Sequence, residues 1–177
     1  FSLDHIVSII VILFLFIIFL RYNDKIGIED DSKTFLIVLS VLMIFLDLSE
    51  DLVRIFTGYY SITKDLPLQL CSIGVYLAAF NLMYRNQTIF NLIFYWGFVG
   101  ATNAILTPDG DLFELRIFFF YSQGYHAALI FAVLWMMIKY DMRMDYKSIL
   151  QVVIYTNIIV GLITICLLYT SDAADEP

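Results

Sequence analysis

The sequence contains little charge, little proline and almost no cysteine. Of its 177 residues, 15% are charged, three are proline and two are cysteine. Soluble domains carry about 25% charged residues, and their apolar fraction is about 45–50%. Here 61% of the residues are hydrophobic and the mean hydropathy is +0.84. An aqueous domain of this size cannot hide so much apolar surface, so the composition excludes a soluble fold and indicates a membrane protein.

Sequence signatures of common enzyme sites and of nucleic-acid interfaces are also missing. The chain has no glycine-rich nucleotide-binding motif, no H-E-x-x-H or C-x-x-C metal pattern and no G-x-S-x-G nucleophile elbow. The net charge of −7 is acidic and no basic patch is present, which argues against nucleic-acid binding. Internal repeats, which many transporters show, are not evident. We therefore expect no metal and no cofactor. Because the composition indicates a membrane protein, the expected partners are membrane lipids.

Six long apolar runs alternate with short polar patches. Each run has about the 17–25 residues that a helix needs to cross a hydrocarbon core of about 30 Å. Helices are expected because an open strand edge in lipid leaves backbone groups unpaired. No basic segment precedes the first run and no small-residue cleavage site follows it, so we interpret it as a helix rather than a signal peptide. The sequence predicts an all-α, polytopic transmembrane helical bundle with six spans: 4–20, 34–53, 66–84, 88–106, 115–139 and 146–165.

Lysine and arginine are distributed unevenly between the two sets of loops. The loops that follow spans one, three and five carry most of them. Because positively charged loops stay on the cytoplasmic side, this asymmetry predicts a multi-pass plasma-membrane protein with its N-terminus outside. The residues predicted to lie inside are Arg21, Lys25, Lys33, Arg85, Lys139, Arg143 and Lys147, and those predicted to lie outside are Arg54, Lys64 and Arg116.

Both ends of the chain suggest truncation. Phe1 is not an initiator methionine, so we expect the N-terminus to be incomplete or processed. Residues 166–177 change abruptly from apolar to small and acidic, and they resemble the translation of a transposase sequencing adapter. The alternative is a natural acidic, disordered tail. We therefore divide the chain into a transmembrane helical bundle at 1–165 and a non-native tail at 166–177. Cys71 is then the one cysteine of the bundle, which excludes a disulfide within it.

Charged residues cluster at the end of span two. Asp47 and Asp51, and likewise Glu50 and Arg54, are four residues apart, so a helix places each pair on one side. Two interpretations are open. Either the cluster is solvated at the membrane interface, or Glu50 and Arg54 face the bundle and order a site, because charge inside a membrane is costly and usually paired.

Cys71 and His126 are the candidate reactive residues within the spans. Cys71 follows Pro67, which suits the first turn of a helix. A cysteine in a membrane helix is usually an inert, small apolar residue. His126 falls near the middle of span five, where a histidine is rare and is expected to face the bundle or a wet cavity. A hydrogen-bonded structural role is the alternative for His126, and an interfacial role suffices for His5.

Small residues in span four predict close helix packing. Gly97 and Ala101, and likewise Gly100 and Ala104, form two small-xxx-small pairs. Asn103, near the outer end of the span, is either a contact between helices or part of a site. The Thr-Pro-Asp segment that follows ends the helix.

Several short motifs, taken together, resemble one family. They are Leu66-Pro67-Leu68-Gln69-Leu70-Cys71, then Trp96-Gly97 with Gly100 and Leu106-Thr107-Pro108-Asp109, then Arg116 with His126 and Trp135. Their order and spacing resemble the YwaF-like bacterial integral membrane proteins, a family related to the vertebrate transmembrane protein 164. The resemblance covers all six spans and implies a seventh that this chain lacks. Gln69 stands where relatives often have histidine.

The resemblance also implies a chemistry. Vertebrate members are described as intramembrane acyltransferases that act on ether phospholipids with a cysteine and a histidine, and those positions match Cys71 and His126. The resemblance thus implies a Cys/His-dependent acyltransferase or hydrolase that acts on acyl esters of membrane phospholipids. In the implied mechanism Cys71 is the nucleophile, and His126 is the base that accepts the proton of the thiol, as in other Cys–His pairs.

Further residues are expected around this pair. They are predicted to bind or orient the substrate, or to donate to an oxyanion: Gln69, Ser72, Asn103, Gln123, Glu50 and Arg54. We expect spans three and five to be neighbours, with Cys71 and His126 facing each other across a cavity. The alternative function is a non-catalytic membrane protein, such as a small-solute or lipid carrier, in which the polar residues only hold helices together.

Overall fold

The computed structural model describes residues 2–22, 30–61, 69–108 and 115–174. Within these ranges the regular structure is helical, which confirms the all-α prediction for this part of the chain. Six helices follow one another: α1 Leu3–Tyr22, α2 Asp30–Thr57, α3 Leu70–Tyr84, α4 Gln87–Leu106, α5 Arg116–Lys139 and, after a 3-10 turn at Tyr146–Ser148, α6 Ile149–Ala174. Pro67 and the loop lysines at 25 and 64 lie outside the described residues.

The apolar helices mark the chain as a multi-pass integral membrane protein. Four segments are long and apolar enough to cross a membrane: Leu3–Tyr22, Gln87–Leu106, Arg116–Lys139 and Tyr146–Cys166. In its described part α3 is apolar but has 15 residues, fewer than the roughly 20 that a crossing needs. α2 has 28 residues, but acidic side chains fall in its second half. The crossings of α2 and α3 therefore stay a prediction.

A π-helical segment interrupts α4. Gln87–Ile93 and Thr102–Leu106 are α-helical, and Phe94–Ala101 forms the wider π-helix between them. Hydrogen bonds in a π-helix skip one more residue than in an α-helix, so side chains change face along the segment. The sequence predicted an uninterrupted helix over 88–106, because an apolar run of this length has the same composition in either form.

α5 is central among the described helices and packs against α1, α2, α3 and α4. Two contacts fix the direction of α2 relative to it. The rings of Phe35 and Trp135 have centroids 4.7 Å apart, and the Arg54 guanidinium lies 4.2 Å from the centre of the Phe118 ring. The start of α2 therefore meets the end of α5, and the two helices are antiparallel.

α3 runs in the same direction as α5. Gly74, near the start of α3, faces the side chain of Leu129. Seven residues further along both helices, the Asn81 amide donates to the sulfur of Met136 at 3.3 Å. Spans three and five are thus neighbours, as the sequence predicted.

α1 also runs parallel to α5 and touches it at both ends. At the start of the two helices, Asp4 forms an ion pair with Arg116. Near the end of α1, the rings of Phe19 and Trp135 have centroids 5.9 Å apart. These two contacts fix the direction of α1 relative to α5.

α4 and α6 run opposite to α1, α3 and α5. His5 Nε2 at the start of α1 lies 2.8 Å from the backbone carbonyl oxygen of Ile105 at the end of α4. The Trp96 indole of α4 donates to the Thr156 hydroxyl of α6 at 3.1 Å. Successive helices therefore alternate in direction through the described bundle.

Basic residues from separate loops come together at one end of the bundle. The Arg85 guanidinium lies 3.9 Å from the centre of the Tyr140 ring, and the Gln87 amide donates to the backbone carbonyl of Arg143. The loops after α3 and α5 thus share one end, as the loop asymmetry requires. Which membrane face this end occupies stays a prediction.

α6 lies at the edge of the described bundle. The Asp145 carboxylate accepts from the backbone N–H of Lys147 and orders the turn that precedes the helix. The helix itself continues through Ala174, past the boundary predicted at 165. The division of the chain into a native bundle and a non-native tail stays a prediction.

Candidate functional site

A polar contact joins α2 to α3 inside the bundle. Asp47 interrupts the apolar run of α2 and is 5% exposed. Ser72, in the first turn of α3, donates its hydroxyl to Asp47 Oδ1 at 3.0 Å. The other carboxylate oxygen, Oδ2, is buried and has no hydrogen-bond partner among the described residues, although Tyr76 lies beside the carboxylate. An acidic group is therefore packed between two helices rather than exposed to solvent.

An ion pair extends this polar region toward the end of α2. Arg54 Nη2 lies 3.1 Å from Glu50 Oε1, and both side chains are largely buried. The Arg54 guanidinium also lies over the face of Phe118, which gives a cation–π contact with α5. Of the two interpretations of this cluster, burial favours the one in which Glu50 and Arg54 face the bundle. That they order a substrate site stays a prediction.

Cys71 packs against the π-helical segment of α4. Its side chain is half-buried, and Sγ lies 4.0 Å from the backbone carbonyl oxygen of Trp96, to which the thiol can donate weakly. A Cβ atom added to Gly100 would lie 3.9 Å from the same sulfur. Gly100 therefore lies beside the thiol, and a Cβ there would make only an ordinary van der Waals contact with it.

His126 lies in the bundle interior and is 5% exposed, as the sequence predicted. Its Nδ1 is 2.8 Å from the backbone carbonyl oxygen of Ser122, one turn earlier on α5. Because a carbonyl oxygen only accepts, Nδ1 carries the hydrogen and Nε2 carries the lone pair of a neutral imidazole. The Tyr125 ring packs beside the imidazole, with centroids 4.2 Å apart. The ring is thus held in the tautomer that a general base needs.

Cys71 and His126 belong to packed helices but do not bond to each other. The hydrogen-bonding neighbour of the thiol is the Trp96 carbonyl, and that of the imidazole is Ser122. Gly74 faces Leu129 and Asn81 donates to Met136, so the same register places Cys71 and His126 at one level of α3 and α5. Their pairing as nucleophile and base stays a prediction.

The remaining predicted site residues divide between interior and surface. Ser72, Arg54 and Gln123 are buried, and Gln123 faces a groove between α1 and α5. Gln69 is exposed and its side chain does not cap α3. Asn103 is exposed, and its side-chain and backbone oxygens lie near the Thr107 hydroxyl. Gln69 and Asn103 therefore lie at the surface, and their role beside Cys71 stays a prediction.

Three polar residues near this region were not predicted as part of it. Asp47 was noted only as one of a charged cluster, and Tyr76 was not singled out at all. Tyr125 is 7% exposed and faces the same region as Glu50 and Cys71. Two features of the sequence could have indicated Asp47 and Tyr76. Asp47 stands between two leucines, and Tyr76 follows Ser72 by one helical turn.

His5, for which an interfacial role was expected, lies at the start of α1 and packs against other helices. It is 3% exposed, and its Nε2 lies 2.8 Å from the carbonyl oxygen of Ile105. Its ring also meets Phe119 edge-on, with centroids 6.3 Å apart. His5 therefore fastens the start of α1 to α4 and α5, and no sequence signal specified that partner.

Within residues 2–22, 30–61, 69–108 and 115–174, no three His, Cys, Asp or Glu side chains are grouped closely enough to bind a metal ion.

Comparison with known proteins identifies the family of the chain. No curated protein matches the sequence significantly, and no solved structure does so either. The sequence profile of the TMEM164 family matches residues 1–171, which is nearly the whole chain. The chain therefore belongs to the TMEM164 family.

Proposed function

We propose that this membrane protein is a Cys/His-dependent acyltransferase or hydrolase that acts on acyl esters of membrane phospholipids. One observation carries the proposal: the buried His126 donates Nδ1–H to the Ser122 carbonyl, so Nε2 is free to accept a proton. A base fixed in one tautomer by a partner on its other nitrogen is the arrangement that activates nucleophiles in Cys- and Ser-dependent enzymes. Cys71, on a neighbouring helix, is the nucleophile.

The chemistry takes two steps. His126 Nε2 accepts the proton of the Cys71 thiol, and Sγ forms a bond to the carbonyl carbon of the lipid ester. The bond from that carbon to the glycerol oxygen breaks, and the imidazolium returns its proton to the departing oxygen. A lysophospholipid hydroxyl or water then attacks the thioester, its proton passes through Nε2 to the thiolate, and the free thiol is restored.

The resting arrangement must change for the first step. The thiol now lies against the Trp96 carbonyl, so a rearrangement of side chains has to bring Sγ to Nε2. Oxyanion donors are proposed among Ser72, Gln69 and Asn103. Since the Ser72 hydroxyl already donates to Asp47, it serves this role only if that bond is released.

We extend the proposal to the placement of the chain. All six helices cross the membrane of a bacterial cell, with the N-terminus outside, and the chain belongs to the YwaF-like branch of its family. The alternation of helix directions supports six crossings. The shared end of Arg85 and Arg143 supports the orientation, because basic loops stay in the cytoplasm.

A second candidate function is a non-catalytic carrier of lipids or small solutes. It is favoured by the absence of a hydrogen bond between Cys71 and His126, since their present partners are backbone carbonyls and Ser122. In that case the buried polar residues hold the helices together and no thioester forms.

A thioester-trapping experiment separates the two functions. The full chain in lipid nanodiscs is given a phospholipid with an alkyne-tagged acyl chain, and the protein-bound tag is measured before and after hydroxylamine, which cleaves thioesters. Cys71→Ala should lose the label and the lipid turnover, whereas Cys166→Ala, at the exposed cysteine of α6, should keep both. A folded Cys71→Ala protein that retains turnover ends the thiol mechanism.

A further inference from the structure

Asp47 and Ser72 belong to the same level of the bundle as His126. Leu46 of α2 lies against α5, because a Cβ atom added to Gly124 would be 3.6 Å from Leu46 Cδ1. Asp47 is the next residue of α2, and its carboxylate accepts from the hydroxyl of Ser72 on α3. On α5, His126 follows Gly124 by two residues, a rise of about 3 Å along the helix. The three helices thus bring a carboxylate, a hydroxyl and an imidazole to one level.

The thiol and a buried phenol lie at this level as well. Cys71 directly precedes Ser72, and its thiol is within electrostatic range of the Asp47 carboxylate. Tyr125 is 7% exposed and packs beside the His126 ring, and it too is within electrostatic range of Asp47. The proposed nucleophile and base therefore share their surroundings with Asp47.

The Asp47 carboxylate has one oxygen without a partner. An ionised carboxylate accepts with both of its oxygens. Oδ1 accepts from Ser72 at 3.0 Å, whereas Oδ2 is buried and has no hydrogen-bond partner among the described residues. Tyr76 lies beside the carboxylate, but its hydroxyl does not bond to Oδ2. A buried acceptor without a donor costs free energy, which indicates that Oδ2 receives a donor at some stage of the reaction.

Water is the donor that fits the proposed chemistry. In the second step the attacking O–H group gives its proton to His126 Nε2. A lysophospholipid hydroxyl has only that hydrogen and leaves none for Asp47 Oδ2. A water molecule has two, so it donates one to Nε2 and the other to Oδ2 while its lone pair faces the thioester. Water is also small, and buried water molecules in proteins pair with polar groups that otherwise lack a partner.

We infer that Asp47 Oδ2 and His126 Nε2 hold the water that hydrolyses the thioester on Cys71. The inference rests on the proposed function and deepens it, because it makes the protein a hydrolase rather than an acyltransferase. The water oxygen forms a bond to the thioester carbon, one proton passes to Nε2, and the carbon–sulfur bond breaks. The thiolate then takes the proton from Nε2, and the acyl group leaves as a free fatty acid that keeps the second hydrogen of the water.

Discharge of the thioester in a single turnover tests the inference. The full chain in lipid nanodiscs is loaded from a phospholipid with an alkyne-tagged acyl chain, in water labelled with heavy oxygen and with lysophosphatidylcholine in excess. The main product should be tagged free fatty acid that carries one heavy-oxygen atom. Tagged diacyl phospholipid as the main product overturns the inference alone. Absence of a thioester on Cys71 overturns the proposed function and this inference together.

Asp47→Asn separates this role from a structural one. Asparagine keeps an oxygen for the Ser72 hydroxyl but replaces Oδ2 with an amide NH2 group, which cannot accept from water. Release of free fatty acid should slow by about 10–100-fold, because a hydrogen bond to a charged group is lost. Formation of the thioester and its cleavage by hydroxylamine, which needs no bound water, should keep their rates. A purely structural Asp47 predicts an unchanged rate of release.

The matched control is Asp51→Asn, which removes the same charge one turn later on α2. It should leave the release of fatty acid unchanged. Equal slowing by the two variants, or an unchanged rate for Asp47→Asn, overturns the inference and leaves the thiol mechanism in place. If Asp47→Asn does not fold, the product of the unmodified chain and its heavy-oxygen content decide.

Discussion

α5 and α6 are both long apolar helices, yet their surroundings differ. Of the most apolar stretch of α5, 50% is buried within the bundle, whereas for α6 the share is 6%. Each helix carries a polar residue bonded to the carbonyl one turn earlier: His126 to Ser122 on α5, and Asn157 to Val153 on α6. A membrane helix can therefore satisfy a polar donor with its own backbone at either place.

The comparison shows what makes a polar residue in a span a site candidate. Asn157 is exposed, and its bond to the backbone suffices to explain it. His126 makes a similar bond with one nitrogen but is buried and keeps a second nitrogen with a lone pair. A polar residue in a span is thus a candidate for a site when it is buried and one of its polar atoms has no partner in its own helix.

The largest effect on stability is expected where α2 meets the start of α5. Arg54→Met removes the cation that pairs with the buried Glu50 and stacks on Phe118. Because removal of one partner leaves an uncompensated buried charge, we expect a loss of about 3–5 kcal/mol in the free energy of unfolding. SDS titration in mixed micelles measures it.

The control for this variant is the exposed ion pair before α6. Arg143 lies 2.9 Å from Asp141, and the two side chains are 63% and 85% exposed. Arg143→Met should change the free energy of unfolding by less than about 1 kcal/mol, because water screens the pair. Equal losses in the free energy of unfolding for Arg54→Met and Arg143→Met would contradict the expected difference between a buried and an exposed ion pair.

An intermediate effect is expected at the contact of α4 with α5. A Cβ atom at Gly97 would lie 3.0 Å from Leu129 Cγ, so Gly97→Leu overpacks the interface. Overpacking of this kind costs about 1–3 kcal/mol. The matched change on α6 is Gly161→Leu, where nothing lies within 4 Å of the added Cβ, and it should cost nothing. The denaturant midpoint should therefore fall for Gly97→Leu and stay unchanged for Gly161→Leu, when both are measured side by side with the unmodified chain.

The smallest effect is expected where α6 touches the bundle through one specific hydrogen bond. The Trp96 indole donates to the Thr156 hydroxyl, which in turn donates to the Val152 carbonyl. Hydrogen bonds between membrane helices average about 0.6 kcal/mol in double-mutant cycles. A cycle of Trp96→Phe and Thr156→Val should return a coupling of about that size. A coupling near zero would mean that α6 is positioned by apolar contacts alone.

Much of the fold could be predicted from the sequence, because apolar length determines where membrane helices lie. Span one, predicted at 4–20, is found at Leu3–Tyr22, and span five, predicted at 115–139, is found at Arg116–Lys139. Helix ends were predicted less well: α2 continues to Thr57, beyond the predicted 53, and the polar residues near its end have partners there, since Arg54 pairs with Glu50 and Asp47 accepts from Ser72.

The partners of polar residues could not be predicted in the same way. A single sequence contains no record of which helices touch, so neither the bond from Ser72 to Asp47 nor that from His5 to Ile105 was foreseeable. The exposure of Asn103 was equally undetermined, since its position near a helix end suits either the surface or a site. Roles in catalysis depend on such pairings, so a single sequence does not determine them.

The π-helical segment of α4 has a consequence for changes in chain length. Loss of one residue from Phe94–Ala101 lets the segment close into ordinary α-helical turns without breaking the apolar run. The half of α4 that follows then keeps nearly its present facing, because the π-helical segment already accommodates one residue more than an α-helix does. The Ile105 carbonyl therefore stays beside His5, and the start of α1 stays attached. In alignments of related chains, a one-residue gap here is therefore compatible with the same attachment of the first helix, whereas a one-residue gap in the α-helical Gln87–Ile93 turns the rest of α4 by about 100°, the angle between successive residues.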